Sequence, residues 1–284
     1  MQPVRIDIAK VLAEKSPAVA RIMPGFILNW LKRTIHEEEI NVGLEISKDI
    51  KDLEFASWTL NYLKASADSV GRENIPTDSG VIIASNHPLG GLDGVALMQE
   101  AGKARPDVRF IVNDILTNLP NFEKIVVGVN KHGSNPRAGL EAIEGAYSGG
   151  FAVLIFPAGL CSRKQDDGTI RDLVWHKSFI ARAQKYNLPV VPTFIKGRNS
   201  NWFYNLARWR KKLGINLNIE MFYLPDEMFR QRGQQIHITF GKPIPAEVFN
   251  KSRKQDEWAA LMRDFVYLFP NQPDLLFADF IKNK

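Results

Sequence analysis

From residue 80 onward, short apolar runs alternate with stretches of helical periodicity, and this alternation limits the folds open to the chain. The runs that suit strands are Val81–Ala84, Val108–Val112, Lys124–Val129, Ala152–Phe156, Pro189–Ile195, Ile219–Tyr223 and Ile236–Phe240. Helical patterns lie between them at Asp93–Ala101, Arg137–Tyr147 and Ser178–Tyr186. Strands that alternate with helices build a sheet covered by helices. The sequence therefore predicts an α/β fold with a mixed, largely parallel sheet.

The two ends of the chain have a different texture. Residues 1 to about 75 show helical periodicity with few turn signals, including an apolar stripe over Phe26–Ile35. Beyond about residue 250, Trp258, Leu261 and Phe265 form the pattern of one amphipathic helix. We expect an N-terminal helical region over 1–75, an α/β domain over 76–250, and a C-terminal helix and tail over 251–284.

Composition narrows the partners and the compartment. The net charge of +6 favours anionic partners: phosphorylated cofactors, acidic carrier proteins, anionic lipid or nucleic acid. The single cysteine, Cys161, excludes an intrachain disulfide framework and favours a reducing compartment. No basic segment followed by an apolar core begins the sequence, so no signal peptide is expected. No window approaches the roughly 18–20 apolar residues of a spanning helix, so membrane contact is expected to be peripheral.

The segment SNHPLGGLDG, residues 85–94, contains the first candidate chemistry. Its proline and glycines suit neither a helix nor a strand. Because ligands bind at the carboxyl ends of strands in α/β sheets, His87 is expected at the mouth of a site. The carboxylate of Asp93 can align the imidazole as a general base for a substrate hydroxyl. The plainer alternatives are a structural histidine and an aspartate that caps the next helix, a role compatible with facing His87.

Two further apolar runs lead into candidate anion-binding segments. The first, VLIFPAGLCSRK over residues 153–164, ends in a Pro-x-Gly turn. Free backbone N–H groups near Gly159, with Arg163 close by, would suit an anion there. The second, PVVPTFIKGRNS over residues 189–200, ends in a basic turn that contains Arg198. Each of these basic residues, taken singly, is also typical of a solvated surface charge.

Taken in order, these segments resemble the membrane-associated glycerolipid acyltransferase family, also called the phosphate acyltransferase or lysophosphatidic acid acyltransferase-like family. Asn86-His87 with Asp93 resembles its catalytic His-x4-Asp block. The other resemblances are Val127–Lys131 to the second block, Phe156–Gly159 to Phe-Pro-Glu-Gly, Trp175–Phe179 to a lysine-containing segment, Val191-Pro192 to the fourth block and Gly241–Ile244 to the closing strand. The resemblance covers about residues 76–245.

The resemblance implies an acyltransferase in which His87 and Asp93 are catalytic. It also provides candidates for substrate binding, which are Lys131, Arg137, Gly159, Ser162, Arg163, Lys177 and Arg198. It implies no bound cofactor, since the acyl thioester of acyl carrier protein (acyl-ACP) or coenzyme A (acyl-CoA) is a co-substrate. No metal is expected, because the remaining histidines show no metal-ligand spacing.

Three departures from the family pattern bear on the acceptor. Five residues, instead of four, separate His87 from Asp93, and the Gly90-Gly91 pair can absorb the extra one. Ala158 replaces a glutamate, and Lys131 replaces an arginine, so the planar guanidinium fork is missing. The variant motif resembles a bacterial subgroup that includes ornithine and glycine lipid O-acyltransferases.

That subgroup implies O-acylation of a lysolipid in membrane lipid biosynthesis, with a lyso-amino lipid as the acceptor. Two alternatives stay open. One is lysophosphatidate as the acceptor, and the other is a catalytically inactive basic module of the same fold that binds a membrane or nucleic acid.

A lipid acceptor requires access to a membrane. The segment 202–212 combines aromatic and basic residues, and the predicted contacts are Trp202, Phe203, Trp209, Arg210 and Lys211. A helix packed on the core with a solvated basic edge is the alternative. The Phe26–Ile35 stripe is a second candidate, although core packing is favoured there. We expect a cytoplasmic protein, peripheral at the inner face of the cell membrane, that does not bind nucleic acid.

Overall fold

A computed structural model describes residues 5–15, 17–112, 119–128, 136–214, 218–272, 274–282 and 284. Its strands are β1 (Ser66–Val70), β2 (Val81–Ser85), β3 (Val108–Val112), β4 (Val126–Gly128), β5 (Ala152–Ile155), β6 (Arg163–Lys164), β7 (Ile170–Arg171), β8 (Val190–Ile195) and β9 (Gln235–Phe240). Strands β6 and β7 form a separate hairpin, and the other seven form one sheet in the order β1-β9-β8-β2-β5-β3-β4. Within that sheet β8 and β9 pair antiparallel, and the other described pairings are parallel. The predicted mixed, largely parallel α/β fold is confirmed.

Helices cover both faces of the sheet. They are α1 (Ile8–Lys15), α2 (Pro17–Ile22), α3 (Gly25–Thr34), α4 (Glu37–Ile46), α5 (Asp52–Tyr62), α6 (Gly91–Ala104), α7 (Pro136–Ser148), α8 (Ser178–Tyr186), α9 (Asn201–Lys212), α10 (Leu224–Arg230), α11 (Gln255–Val266) and α12 (Phe277–Lys282). None of these described helices is long and apolar enough to cross a bilayer.

The central strand β2 shows how the two faces are filled. All five of its residues are buried, as expected of a strand with helices on both sides. Because side chains alternate along a strand, Val81 and Ile83 join the core that contains α5 and α6. Ile82 and Ala84 join the opposite core, built with α7, α8, α11 and α12. The sheet is therefore closed on both faces, and its edges and strand ends are left for ligands.

Two sequence-based assignments need correction. The run Ile219–Tyr223, predicted as a strand, is a 3₁₀ helix in which Glu220 is fully buried. Strand β1 lies inside the region predicted as helical, because it is an edge strand of sequence SADSV without an apolar run. It pairs with β9 although it precedes residue 75, and the division into three regions stays a prediction.

Candidate active site

The loop after β2 leaves the carboxyl edge of the sheet beside β8. The side-chain amide of Asn86 binds the main chain of Ile195 twice: Nδ2 donates to the carbonyl oxygen at 2.9 Å, and Oδ1 accepts the N–H at 2.6 Å. These two hydrogen bonds tie the first residue after β2 to the last residue of β8. The main chain that leads into the next residue, His87, is therefore anchored at the strand ends.

His87 and Asp93 are in contact. The Nδ1 atom of His87 lies 3.0 Å and 3.1 Å from the two carboxylate oxygens of Asp93, and Asp93 is fully buried. A carboxylate only accepts hydrogen bonds, so the neutral imidazole has its proton on Nδ1. Nε2 is then the nitrogen with a lone pair for a substrate. The His87 side chain is 17% exposed, so a substrate can reach it.

The extra residue between His87 and Asp93 is absorbed in the turn before α6. Gly90 has φ +89°, a region that favours glycine, and α6 begins at Gly91. Asp93 lies in the first turn of α6 and its Oδ2 accepts the N–H groups of Leu89 at 2.8 Å and Gly90 at 3.3 Å. The carboxylate therefore closes the turn while facing His87.

The segment after β5 surrounds the imidazole on a second side. The ring of Phe156 stacks on that of His87 with centroids 4.0 Å apart. Gly159 lies in the following turn with φ +67°, and its N–H donates to the carbonyl oxygen of Phe156 at 3.0 Å. Ser162 donates its main-chain N–H to the carbonyl oxygen of His87 at 2.7 Å. Ser162 is thus placed beside His87, and Gly159 lies in the turn that follows Phe156.

Asp172, which the sequence patterns did not indicate, anchors the same loop. Its Oδ1 accepts the main-chain N–H of His87 at 3.1 Å and the hydroxyl of Ser162 at 2.6 Å. It stands alone in TIRDLVW, without a motif or a partner at short spacing. A contact across 85 residues leaves no local signal in a single sequence.

Arg163 does not form the open anion pocket that its position suggested. It is buried, its guanidinium lies 3.1 Å from the fully buried carboxylate of Glu220, and it donates to the carbonyl oxygen of Cys161 at 2.7 Å. It also lies over the ring of Phe203. Burial raises the pKa of the Cys161 thiol to about 11, which suits a packed residue. Arg163 is therefore committed to the protein interior.

The remaining predicted binding residues lie on the surface or outside the described residues. Arg198 is exposed just after β8 and donates to Asn201 at 2.6 Å. Lys177 pairs with Asp256 at 3.0 Å and Arg137 with Glu141 at 3.1 Å, both as exposed ion pairs. Lys131 lies outside the described residues. The described residues hold no group of three His, Cys, Asp or Glu side chains suited to a metal ion.

Two of the predicted membrane contacts point inward. Phe203 is fully buried, and Arg210 lies 2.8 Å from the buried carboxylate of Glu220. These two predictions are wrong, because α9 turns one face to the core and uses part of its basic run for an internal ion pair. Trp202 and Trp209 are 48% and 52% exposed, and Lys211 is exposed.

A partly exposed row of aromatic side chains joins α9 to α3. The ring centroids of Trp202 and Trp209 lie 6.0 Å apart, those of Trp202 and Tyr223 6.1 Å, and those of Tyr223 and Trp30 5.9 Å. We call these four residues the aromatic row. Helix α3 buries none of its residues and Phe26 is 73% exposed, whereas Ile35 at the end of the stripe is buried. The favoured core interpretation therefore holds for Ile35 and not for Phe26 or Trp30.

Comparisons with known proteins give matches over most of the chain. The model of the acyltransferase family matches residues 10–275. A lyso-glycine lipid O-acyltransferase of Bacteroides thetaiotaomicron is 42% identical over 92% of this chain and 96% of its own. One of Phocaeicola vulgatus is 40% identical over 92% and 94%. The crystal structure of the 1-acyl-sn-glycerophosphate (LPA) acyltransferase PlsC from Thermotoga maritima aligns with 93% of this chain and 97% of its own, at 17% identity and a TM-score of 0.49.

A histidine aligned by a carboxylate at the strand ends of an α/β sheet is a site for activating a hydroxyl group. The family match and the two relatives identify the class of enzyme. The chain belongs to the acyltransferase family, and the protein is an acyltransferase.

Proposed function

We propose that the protein transfers a fatty acyl group from an acyl thioester to the hydroxyl of a lyso-amino lipid, with lyso-glycine lipid as the first acceptor to test. The contact between His87 Nδ1 and Asp93 is the observation on which the proposal depends. The printed names of the two relatives support the acceptor class. The reaction would complete a two-chain lipid in membrane lipid biosynthesis.

His87 acts as the base in this proposal. Its Nε2 takes the proton of the acceptor hydroxyl as the oxygen attacks the thioester carbonyl carbon. Asp93 holds the Nδ1 proton and stabilises the imidazolium that forms. The tetrahedral intermediate collapses with cleavage of the carbon–sulfur bond, and the imidazolium returns its proton to the departing thiolate. The products are an ester and a free thiol.

The oxyanion of the intermediate needs donors near His87. The N–H of Gly159 already donates to Phe156, which disfavours it. Gly91 is the first residue of α6, and helix geometry leaves the first N–H groups without an intrahelical carbonyl. We therefore propose the N–H groups at the start of α6 as the oxyanion donors.

The charges around the site lack one of the contacts expected for the phosphate of lysophosphatidate. Arg163 is held by Glu220, so it is not presented to a phosphate. Arg198 is exposed. It lies close to the site, because its neighbour Gly197 packs against Leu89 of the loop that follows His87. We propose that Arg198 binds the acceptor head group, and that the other surface cations attract the anionic acyl-ACP or acyl-CoA donor.

The aromatic row is our proposed membrane contact. It presents three tryptophans and one tyrosine, side chains that favour the bilayer interface, next to exposed Lys211. A protein held there at the inner face of the cell membrane would reach both a lipid acceptor and a cytoplasmic acyl donor. The localisation is part of this proposal.

The test is a product analysis on purified protein. Lyso-glycine lipid, lyso-ornithine lipid and lysophosphatidate are supplied separately in mixed micelles, each with palmitoyl-ACP or palmitoyl-CoA, and products are measured by mass spectrometry. We expect ester formation on a lyso-amino lipid at a kcat/KM at least about tenfold above lysophosphatidate, a difference of about 1.4 kcal/mol in transition-state binding. Preference for lysophosphatidate would contradict the acceptor class.

A further inference from the structure

Asp172, which directly follows β7, is a buried carboxylate outside the segments that resemble the family. It is 1% exposed. Its Oδ1 holds the main-chain N–H of His87 and the hydroxyl of Ser162, while its Oδ2 accepts the indole N–H of Trp175 at 2.9 Å. Ser162 in turn binds the carbonyl oxygen of His87. Both main-chain polar groups of His87 are thus tied to this cluster.

Tyr267, at the end of α11, completes the cluster. Its hydroxyl accepts the main-chain N–H of Asp172 at 2.8 Å and donates to Oδ1 at 3.1 Å. Its ring is held by Arg171, 4.6 Å from the centroid, and by Phe194 edge-on at 5.9 Å. Helix α11 is therefore connected through Tyr267 and Asp172 to the loop of His87.

Asp172 is an aspartate in the protein interior, where aspartates are rare unless they are paired. Burial raises the pKa of this carboxyl group, and hydrogen bonds from Ser162, Trp175 and the His87 N–H oppose that shift. A buried carboxylate is costly unless its oxygens are hydrogen-bonded, and each of these groups can donate. The cluster is a fully hydrogen-bonded polar network, a type that rigidifies its members.

The imidazole is thereby held from two sides. Asp93 binds the ring at Nδ1, and Asp172 binds the main chain of the same residue. We propose that Asp172, oriented by Tyr267, is a positioning residue that fixes the main chain of His87 so that Nε2 faces the acceptor hydroxyl. The inference rests on the proposed role of His87 as the base. Asp172 itself contacts no reacting atom.

The test compares Asp172→Asn and Tyr267→Phe with a matched control. Asn has the size of Asp but turns an NH₂ group toward one of the donors, and Phe removes only the hydroxyl. A displacement near 1 Å can lower kcat by about a hundredfold, so we expect Asp172→Asn to reduce kcat by about ten- to a hundredfold. The KM for the lysolipid should change less than about twofold, since substrate contacts stay. Asp68→Asn is the control, because Asp68 forms an exposed ion pair with His237 at the β1 edge of the sheet and, among the described residues, contacts no member of the cluster.

A readout of the imidazole separates positioning from general loosening. The proton between His87 Nδ1 and Asp93 is followed as a low-field proton NMR signal, assigned by its loss in His87→Ala. We expect this signal to shift or broaden in Asp172→Asn and Tyr267→Phe, and to stay unchanged in Asp68→Asn. Melting temperatures above the assay temperature establish that the variants are folded.

The outcomes distinguish this inference from the proposed function. Wild-type kcat in folded Asp172→Asn protein would overturn the positioning role, as would an equal loss of kcat in Asp68→Asn. If Asp172→Asn does not fold, Tyr267→Phe decides, and wild-type kcat there overturns the inference. Full activity of His87→Ala would contradict the proposed base, and the inference would fall with it.

Discussion

At the scale of single residues, Asp93 serves two parts of the site with one carboxylate. Both oxygens lie within 3.1 Å of His87 Nδ1, and Oδ2 also accepts the N–H of Leu89. The first contact sets the tautomer of the imidazole, and the second closes the turn before α6. Replacing this carboxylate should therefore affect catalysis more than stability, provided the replacement can still accept the backbone hydrogen bond.

Asp93→Asn makes that replacement. The amide oxygen of Asn can accept the N–H of Leu89. The amide is neutral, however, and has no second oxygen to accept the Nδ1 proton of His87. By analogy with the aspartate of a serine hydrolase triad, we expect kcat to fall by about 10³–10⁴-fold. Steady-state kinetics and a melting curve measure the two effects. Asp256→Asn, which removes a surface carboxylate paired with Lys177, is the control. A kcat near wild type would contradict the orienting role.

The residue scale also shows what a single sequence reveals about the site. His87 and Asp93 were found because both lie in one segment next to an apolar run. Arg163 was misinterpreted because its partner Glu220 is 57 residues away, and a basic residue after a strand looks the same whether it binds a ligand or a buried glutamate. Asp172 was missed for the same reason.

At the scale of elements, the turn between β2 and α6 depends on Gly90. Its φ of +89° is strained for other residues, and an added Cβ would lie 3.0 Å from Cδ2 of Leu224 on α10. Such strain costs of order 1–3 kcal/mol. The turn sets the distance between His87 and Asp93, so part of this energy should be relieved by moving the two side chains apart.

Gly90→Ala tests the turn. We expect a lower melting temperature, a loss of roughly 1–3 kcal/mol in the free energy of unfolding, and a reduced kcat. Gly145→Ala on α7 is the matched control, because no atom lies within 4 Å of the added Cβ. Urea unfolding and steady-state kinetics give the two quantities. Unchanged kcat in Gly90→Ala would show that the turn does not set the site geometry.

Element types were predictable where burial and periodicity agreed. Strand β2 was found because a strand buried on both faces is apolar throughout. Strand β1 was missed because an edge strand needs no apolar run, and its pairing with β9 spans the length of the domain. The run Ile219–Tyr223 misled because its apolar residues serve a 3₁₀ helix that packs beside α9.

Across the molecule, helices α7 and α8 are joined by the carboxylate of Glu144, which lies among basic side chains. Glu144 accepts hydrogen bonds from Lys185 at 2.7 Å and Tyr186 at 2.5 Å, and it pairs with Arg182. The hydrogen bonds from Lys185 and Tyr186 lower its pKa from 4.5 to about 2. A carboxyl group with a lowered pKa stabilises the fold above pH 4.5, and this contribution is lost as the pH falls toward 2.

Glu144→Gln should therefore lower the free energy of unfolding in a pH-dependent way. We expect a loss of roughly 1 kcal/mol at pH 7, because solvent screens a partly exposed network. The difference from wild type should shrink below pH 4.5 and vanish only below pH 2. Urea unfolding over a pH series measures it. A difference that stays constant down to low pH would contradict the ionic origin.

The aromatic row predicts how the molecule meets a lipid surface. Removing two exposed rings with Trp202→Ala and Trp209→Ala should weaken partitioning into anionic vesicles by at least about tenfold, since binding scales with buried apolar area. Co-sedimentation with phosphatidylglycerol vesicles measures it. Val70→Ala, which removes an exposed apolar group on β1 at the sheet edge, should bind like wild type. If the protein with Trp202→Ala and Trp209→Ala binds the vesicles as tightly as the Val70→Ala protein, the membrane contact lies elsewhere.

The imidazole of His87 is the group on which the proposed acyl transfer most directly depends. Purified His87→Ala is assayed for ester formation on lyso-glycine lipid with a saturating acyl thioester, beside the wild-type protein. We predict a fall in kcat of about 10²–10⁴-fold, the contribution of a positioned general base, with the melting temperature and vesicle binding largely kept. A folded His87→Ala protein that forms the ester at the wild-type rate would contradict the account.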